Sequence, residues 1–466
     1  MRYVLILWVY FFAQIPIAYA QSLTSFTKEL YDTHSRYKVD GFDTQRVDPN
    51  ELQLAINQLT VTNSGLFEVN LLGYSVLDRP IQMISIGQGP VDVLMWSQMH
   101  GNESTATRSI LDLLNFFERN YNTNKNVVDL LKNLRIHFIP MLNPDGAFLW
   151  TRENALGIDL NRDALRLIAP ESQILKRVRD SLEADYGFNL HDQSRHYNVY
   201  RSDKTASISF LATAFDYEKS RSAGRDEAMQ LISYLYEINQ QLIPNHTGRY
   251  NDDFEPRAFG DNIQKWGTKL ILIETGGFKE DPEKQKGRML NAVLIGSALE
   301  AIAKRNHLRL PVEYYYRIPE NDRKLFDLKI SNLLKRVNGK QYIVDLGYNY
   351  EDNELLSGTI VLEDQGDLST YSAYRVLDGA NAMLTAPKYY SGKLSNYTQE
   401  LDLINQGYLY YKKSRNGYQS KFMIETRETD IPEDYIERGQ FFLQRDSKYI
   451  FVILEGEVID IELINN

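Results

Sequence analysis

The stretch that most constrains this chain runs from Val91 to Phe117. Val91 to Gln98 reads as an apolar strand, and Ser104 to Phe117 repeats its apolar residues at helical spacing. The junction between them is Met99-His100-Gly101-Asn102-Glu103. In open α/β sheets, sites are built at such carboxyl ends of strands. An imidazole and a carboxylate three residues apart can reach one small cation, and two nitrogens plus a carboxylate make the three-ligand set of a catalytic zinc. Taken alone, a His-x-x-Glu is usually a solvated pair, so the rest of the chain decides.

The same texture recurs downstream. Leu134 to Met141 is a strand ending at Asn143-Pro144-Asp145-Gly146, and Pro170 opens a helix to about Tyr186 that leads into the strand Gly187 to His191. An amphipathic helix over 225–242 precedes the compact strand Lys269 to Ile273, which stops at Glu274-Thr275-Gly276-Gly277 before a long helix to about Arg305. Phe67 to Gly87 suits two strands joined by a turn, and Ser22 to Leu59 is a polar-faced helical lead-in. Strands alternating with helices predict an α/β fold with a mixed, mainly parallel, doubly wound sheet. From Pro311 onward helical periodicity fades, and short alternating runs separated by Asn338-Gly339, Asp378-Gly379 and Asn416-Gly417 predict an all-β module. At 466 residues two domains are expected.

Several functions are excluded or disfavoured by composition. A net charge of −10 without a basic run argues against a nucleic-acid partner. The absence of cysteine removes disulfides, thiolate metal sites and a cysteine nucleophile. Arg2, the apolar run Tyr3 to Ile17 and Ala18-Tyr19-Ala20 predict a signal peptide over residues 1–20, with Gln21 as the first mature residue and a periplasmic or extracellular location. No second segment approaches membrane-spanning length, so no stable span is expected after cleavage.

Three strand ends carry the polar residues: His100 with Glu103, then His191, then Glu274. A parallel sheet brings such ends to one edge. Two imidazoles and one carboxylate leave a zinc with an open position, and a further carboxylate off the metal suits proton transfer. Between them, Arg152 and Arg162 could fork onto a substrate carboxylate or stabilise an oxyanion, and Asn161 could add an amide donor.

Taken in order, His100-x-x-Glu103, Asn143-Pro144-Asp145-Gly146, Asn161-Arg162, His191 and Glu274 resemble the motifs of the carboxypeptidase A-like zinc metallocarboxypeptidases over about residues 67–303. The resemblance implies one zinc per chain on His100, Glu103 and His191, with Glu274 as general base and acid. It also implies that Arg152 polarises the scissile carbonyl, that Asn161 and Arg162 grip the terminal carboxylate of a peptide, and that Tyr250 is the substrate-contacting tyrosine. The expected function is exopeptidase cleavage at the C-terminus, by a catalytic domain over 21–307 followed by a β-rich accessory domain over 311–466. Between Glu103 and His191 the chain is shorter than in the digestive members, and Glu255, Arg257 and Phe259 are alternative candidates for setting side-chain preference.

Other readings stay open on the residues. The scaffold could serve an amidase acting on cell-wall peptides, or a catalytically idle peptide binder. His196 is an alternative to His191 as ligand but lacks the preceding apolar strand. His34, His137, His246 and His307 are expected to be surface or ordinary core residues. Asn102, Asn245 and Asn396 fit the glycosylation sequon, and a glycan on Asn102 would crowd the metal.

Overall fold

The structure, a computed structural model, describes residues 22–62, 65–350, 360–413, 418–427 and 431–465. The expected signal peptide and the Asn416-Gly417 turn lie outside the described residues.

Eight strands form the main sheet: β1 (Glu68–Tyr74), β2 (Pro80–Ile86), β3 (Val91–Trp96), β4 (Leu134–Ile139), β5 (Tyr186–Asp192), β6 (Ile208–Leu211), β7 (Thr247–Arg249) and β8 (Lys269–Thr275). Their order across the sheet is β1-β2-β4-β3-β5-β8-β6-β7. The centre is parallel, with β3 between β4 and β5 and β5 beside β8. The β1–β2 hairpin and the β6–β8 pairing are antiparallel. Parallel strands must be covered on both faces, because their connections are helices that pack there. Accordingly Val93 and Met95 join one apolar layer, while Leu94 and Trp96 join the other, as the two-residue period of a strand requires. The first layer takes Ile110, Leu114 and Phe117 from the helix Thr105–Asn120 and Leu290 and Leu294 from Gln285–Lys304. The second takes Leu175 and Val178 from Pro170–Leu182.

Several boundaries differ from the sequence reading. The helix opened by Pro170 stops at Leu182, because Glu183 turns left-handed (φ 46°) and the chain enters β5 at Tyr186. The lead-in is three helices, Ser25–Asp32, His34–Tyr37 and Pro49–Thr62, with a non-helical stretch before the last. The strands β6 and β7 are additions: four and three residues are too short to show a period. They matter for function because the Tyr250 amide donates to Phe210 O at 2.9 Å, which ties the residue after β7 to the sheet.

The apolar layer of the α/β body takes in Tyr315 and Ile318, beyond the shift in texture at Pro311. A second sheet then begins at Leu325–Val337, which pairs antiparallel with Lys340–Tyr350 and parallel with Ser372–Asp378. This C-terminal region is dominated by β structure, with a smaller three-stranded sheet of Lys388–Tyr390, Tyr408–Lys412 and Ile424–Thr426. One nine-residue helix, Tyr397–Asn405, interrupts it. Its N-cap is Asn396, whose side chain accepts from Gln399 N, so this sequon asparagine already has a structural use. Among the described residues, no helix is long and apolar enough to cross a membrane.

Candidate metal centre

The loop after β3 approaches its neighbour so closely that only glycine fits at position 101. A Cβ there would lie 2.0 Å from the carbonyl carbon of Gly146. Asn143 fastens the two loops together: its Oδ1 accepts from Gly146 N at 2.9 Å, and its Nδ2 donates to Met99 O at 3.3 Å and Arg152 O at 3.4 Å. Asp145 ties the same loop to the β1–β2 turn through Arg79 Nη1 at 2.6 Å and Ser75 Oγ at 2.9 Å. The Asn-Pro-Asp-Gly run is therefore a scaffold that sets His100 and the arginine loop side by side.

His100, Glu103 and His191 are buried, and their ligand atoms lie within 4.8 Å of one another. The Glu103 carboxylate meets both imidazoles, Oε1 with His100 Nδ1 and Oε2 with His191 Nδ1, each at 2.8 Å. The donor set fits a zinc: two nitrogens and one carboxylate, buried and convergent. Asp159 Oδ1 lies 3.1 Å from His100 Nε2, the outer contact that fixes a ligating imidazole's tautomer. Asp159 was not singled out in the sequence; a carboxylate two residues before Asn161-Arg162 was the available signal.

The electrostatics follow from this packing. Burial opposes the Glu103 charge, but the His100 cation and hydrogen bonds from both imidazoles hold its carboxyl well below the usual range. Burial also opposes charge on His100, yet Glu103 and Asp159 raise it to about 9. Burial lowers His191. Glu274 keeps partial solvent contact, but the dense surroundings and then the Glu103 charge push its carboxyl well above the usual range. It sits directly across from His191 in the β5–β8 register, at the ends of both strands.

The remaining expected site residues are placed as follows. Arg152 reaches Asp159 through Nε and Nη2, both at 3.1 Å, and Glu103 through Nη1 at 3.2 Å, so its guanidinium lies at the rim of the triad. Asn161 Oδ1 accepts from Phe259 N at 2.9 Å. Arg162 is half-exposed and faces Glu255, Nε to Oε2 at 3.4 Å, while Arg257 pairs with the same glutamate. Two of the candidates for side-chain preference are thus engaged around Arg162, and the third, Phe259, is fully buried. The Tyr250 hydroxyl lies 3.3 Å from that of Tyr197, and burial followed by the Glu274 and Glu103 charges raises its pKa. His196 is drawn away from the triad: its Nε2 meets Asp327 Oδ2 at 3.0 Å.

Beside the triad lies a cavity of about 500 Å³. Glu103 and Arg152 form its inner wall, with Arg195, Lys284 and the strap Thr44–Arg46 around it. Asn161, Arg162 and Tyr250 do not line it. The strap is fastened by Gln45, whose amide donates to Glu283 Oε2 at 2.6 Å, and by Arg108 Nη1, which donates to Thr44 O at 3.1 Å.

The zinc carboxypeptidase family profile matches residues 53–251, a stretch that includes His100, Glu103 and His191. That stretch of the chain is similar to the zinc carboxypeptidase family. Carboxypeptidase D from Rattus norvegicus is 31% identical over 248 residues, covering 46% of this chain and 18% of that protein. The catalytic chain of carboxypeptidase N from Homo sapiens is 32% identical over 119 residues, covering 21% of this chain and 26% of that one. The matches thus span about a quarter or less of these relatives' length. A metallo-carboxypeptidase structure from Burkholderia cenocepacia superposes with a TM-score of 0.45 at 16% identity, over 56% of this chain and 69% of that one. Glu274 lies beyond the matched stretch, so its placement rests on its position opposite His191.

Proposed function

We propose that this chain is an exported zinc carboxypeptidase that removes C-terminal residues from peptides. The observation that carries the reading is the convergence of His100, Glu103 and His191, with Arg152 at their rim and Glu274 across from His191. On this reading the α/β body through Ile318 is the catalytic unit and the sheet from Leu325 is accessory.

His100, Glu103 and His191 would hold one zinc, which would supply Lewis-acid polarisation and a lowered pKa for a water. Asp159 keeps His100 in one tautomer. Arg162, freed from Glu255, and the Asn161 amide bind the substrate's terminal carboxylate and so set which peptide bond reaches the centre. Arg152 donates to the carbonyl oxygen as negative charge develops there. Glu274 accepts the proton of the attacking water and passes it to the departing nitrogen. Tyr250 extends its hydroxyl toward the same bound residue.

The test is residue release from free-acid peptides, C-terminally amidated peptides and cell-wall peptides, before chelation, after chelation and after zinc is restored. Zinc-dependent release of single C-terminal residues from free-acid peptides is expected. Turnover confined to cell-wall amides would replace this reading with an amidase, and zinc binding without turnover of any substrate would replace it with a peptide-binding role. Intact mass of the exported protein is expected to place Gln21 at the N-terminus.

A further inference from the structure

The segment that follows His191 is held by the C-terminal sheet. Asp327, on its first strand, is almost fully buried, and its carboxylate is shared by three groups. It pairs with the Arg195 guanidinium, meets His196 Nε2 at 3.0 Å and accepts from Tyr350 N at 2.8 Å. Tyr374, on a neighbouring strand, donates its hydroxyl to Arg195 O at 2.7 Å, and the guanidinium lies over the Tyr374 ring at 5.4 Å. On its other side Arg195 lies against Gly277, where a Cβ would come within 2.7 Å of the Arg195 Cβ. Gly277 is three residues past Glu274. Arg195 is therefore clamped between the strand end that carries Glu274 and the accessory sheet.

The chain joining the two sheets adds to the clamp. Tyr200 N donates to Glu320 O at 2.8 Å, Arg249 N to Pro319 O at 2.7 Å, and Leu325 N to His196 O at 3.2 Å. The two segments so fastened are those that carry Tyr197 and Tyr250. Arg195 lines the cavity beside the triad, and its Nε is buried without a hydrogen-bond partner among the described residues. Because Asn161, Arg162 and Tyr250 lie outside that cavity, a peptide gripped by its C-terminus would send its upstream residues into it.

We propose that Asp327 of the accessory sheet is a positioning residue for the active site, fixing Arg195 as the wall against which the peptide upstream of the scissile bond is bound. The proposal rests on the carboxypeptidase reading above. An arginine held at both ends by a buried carboxylate and a tyrosine hydroxyl is pre-organised, so less freedom is lost when it meets a backbone carbonyl. The accessory sheet would then contribute to substrate length preference without touching the reacting atoms.

The test compares wild type with Asp327→Asn, Tyr374→Phe, Arg195→Gln and the Asp327→Asn/Arg195→Gln double variant. Each is assayed on a blocked dipeptide and on the same dipeptide extended upstream by three residues. The ratio of kcat/KM between extended and short substrates is expected to fall about tenfold in Asp327→Asn, through KM, and less in Tyr374→Phe. The double variant should fall no further than Arg195→Gln alone. Hydrogen exchange supplies a readout independent of turnover. Residues 193–200 should lose protection in Asp327→Asn while the stretch 340–348 keeps it. Equal loss on both substrates, an unchanged ratio, or additive single effects would overturn the proposal, as would unchanged exchange over 193–200. If wild type releases no C-terminal residue at all, the carboxypeptidase reading fails, and the exchange experiment still decides whether Asp327 fixes Arg195.

Discussion

The main sheet carries two histidine clusters of similar ingredients and opposite character. At one place Ser85 Oγ lies 2.8 Å from His137 Nδ1, and His137 Nε2 lies 2.9 Å from Asp92 Oδ1. The serine, histidine and aspartate stand in line, yet each partner is spent on the next and none of them lines the cavity. Burial lowers His137, so this cluster is a neutral imidazole satisfied across three adjacent strands. At the other place His100 and His191 converge on one carboxylate beside about 500 Å³ of space, and His191 Nε2 is buried without a partner among the described residues. A polar chain that closes on itself is a satisfied core, whereas one that converges on a point next to a cavity is built to bind.

Four measurements can break or sharpen that contrast. The largest effect is expected from Glu274→Gln, which keeps the side chain's shape but removes its capacity to take a proton: activity should fall by about 10³–10⁴-fold with zinc content unchanged. Loss of zinc instead would make Glu274 part of the metal cluster. Next, His191→Ala should weaken zinc retention by about 100-fold or more, read by metal analysis after dialysis against a chelator. The matched change His137→Ala should retain zinc and cost about 1–3 kcal/mol in urea unfolding. If the two variants behaved alike, the contrast between the clusters would collapse.

Asp261 tests the cost of a buried carboxyl that has neither kind of partner. Burial raises it to about 7, and the Glu255 amide donates to it at 2.7 Å. A carboxyl raised in the fold contributes stability that is fully present below its unfolded value near 3.8 and is lost as pH rises through about 7. Unfolding measured from pH 4 to 7 should therefore show stability falling by up to about 1.4 kcal/mol per pH unit, a slope that Asp261→Asn flattens. The smallest effect concerns the substrate end. Arg162 is half-exposed and already faces Glu255, so amidating the peptide C-terminus should cost about tenfold in kcat/KM rather than the larger penalty of stranding a buried cation. Equal turnover of both peptides would remove Arg162 from the binding role.

What was legible in the sequence was local. Val91–Gln98, Gly187–His191 and Lys269–Ile273 announce themselves as apolar runs, and their polar last residues mark the sheet edge. Asn143 and Gly146 were legible as a turn, although their use in spacing Gly101 from Arg152 depends on contacts between loops. The short strands β6 and β7 carry too few residues for a period, so the tethering of Tyr250 to Phe210 could not be read. His196 lacked a preceding apolar strand, and the structure gives it a different partner in Asp327, 131 residues away. Asp159 stood in plain view beside Asn161-Arg162, but a carboxylate gives no sign of which imidazole it will face. Pro311 marks a change of composition, whereas the α/β core runs on to Ile318 because Tyr315 reaches back to Ala212, its hydroxyl accepting from that amide at 3.1 Å.

The strap Thr44–Arg46 divides the candidate site between distant parts of the chain. The triad stands on the loop after β3 and near the end of β5, whereas the cavity borrows a wall from a segment that lies before the whole sheet in sequence. Ser104 Oγ donates to Gln45 O one residue past Glu103, so the strap is fastened directly beside the carboxylate that meets both imidazoles.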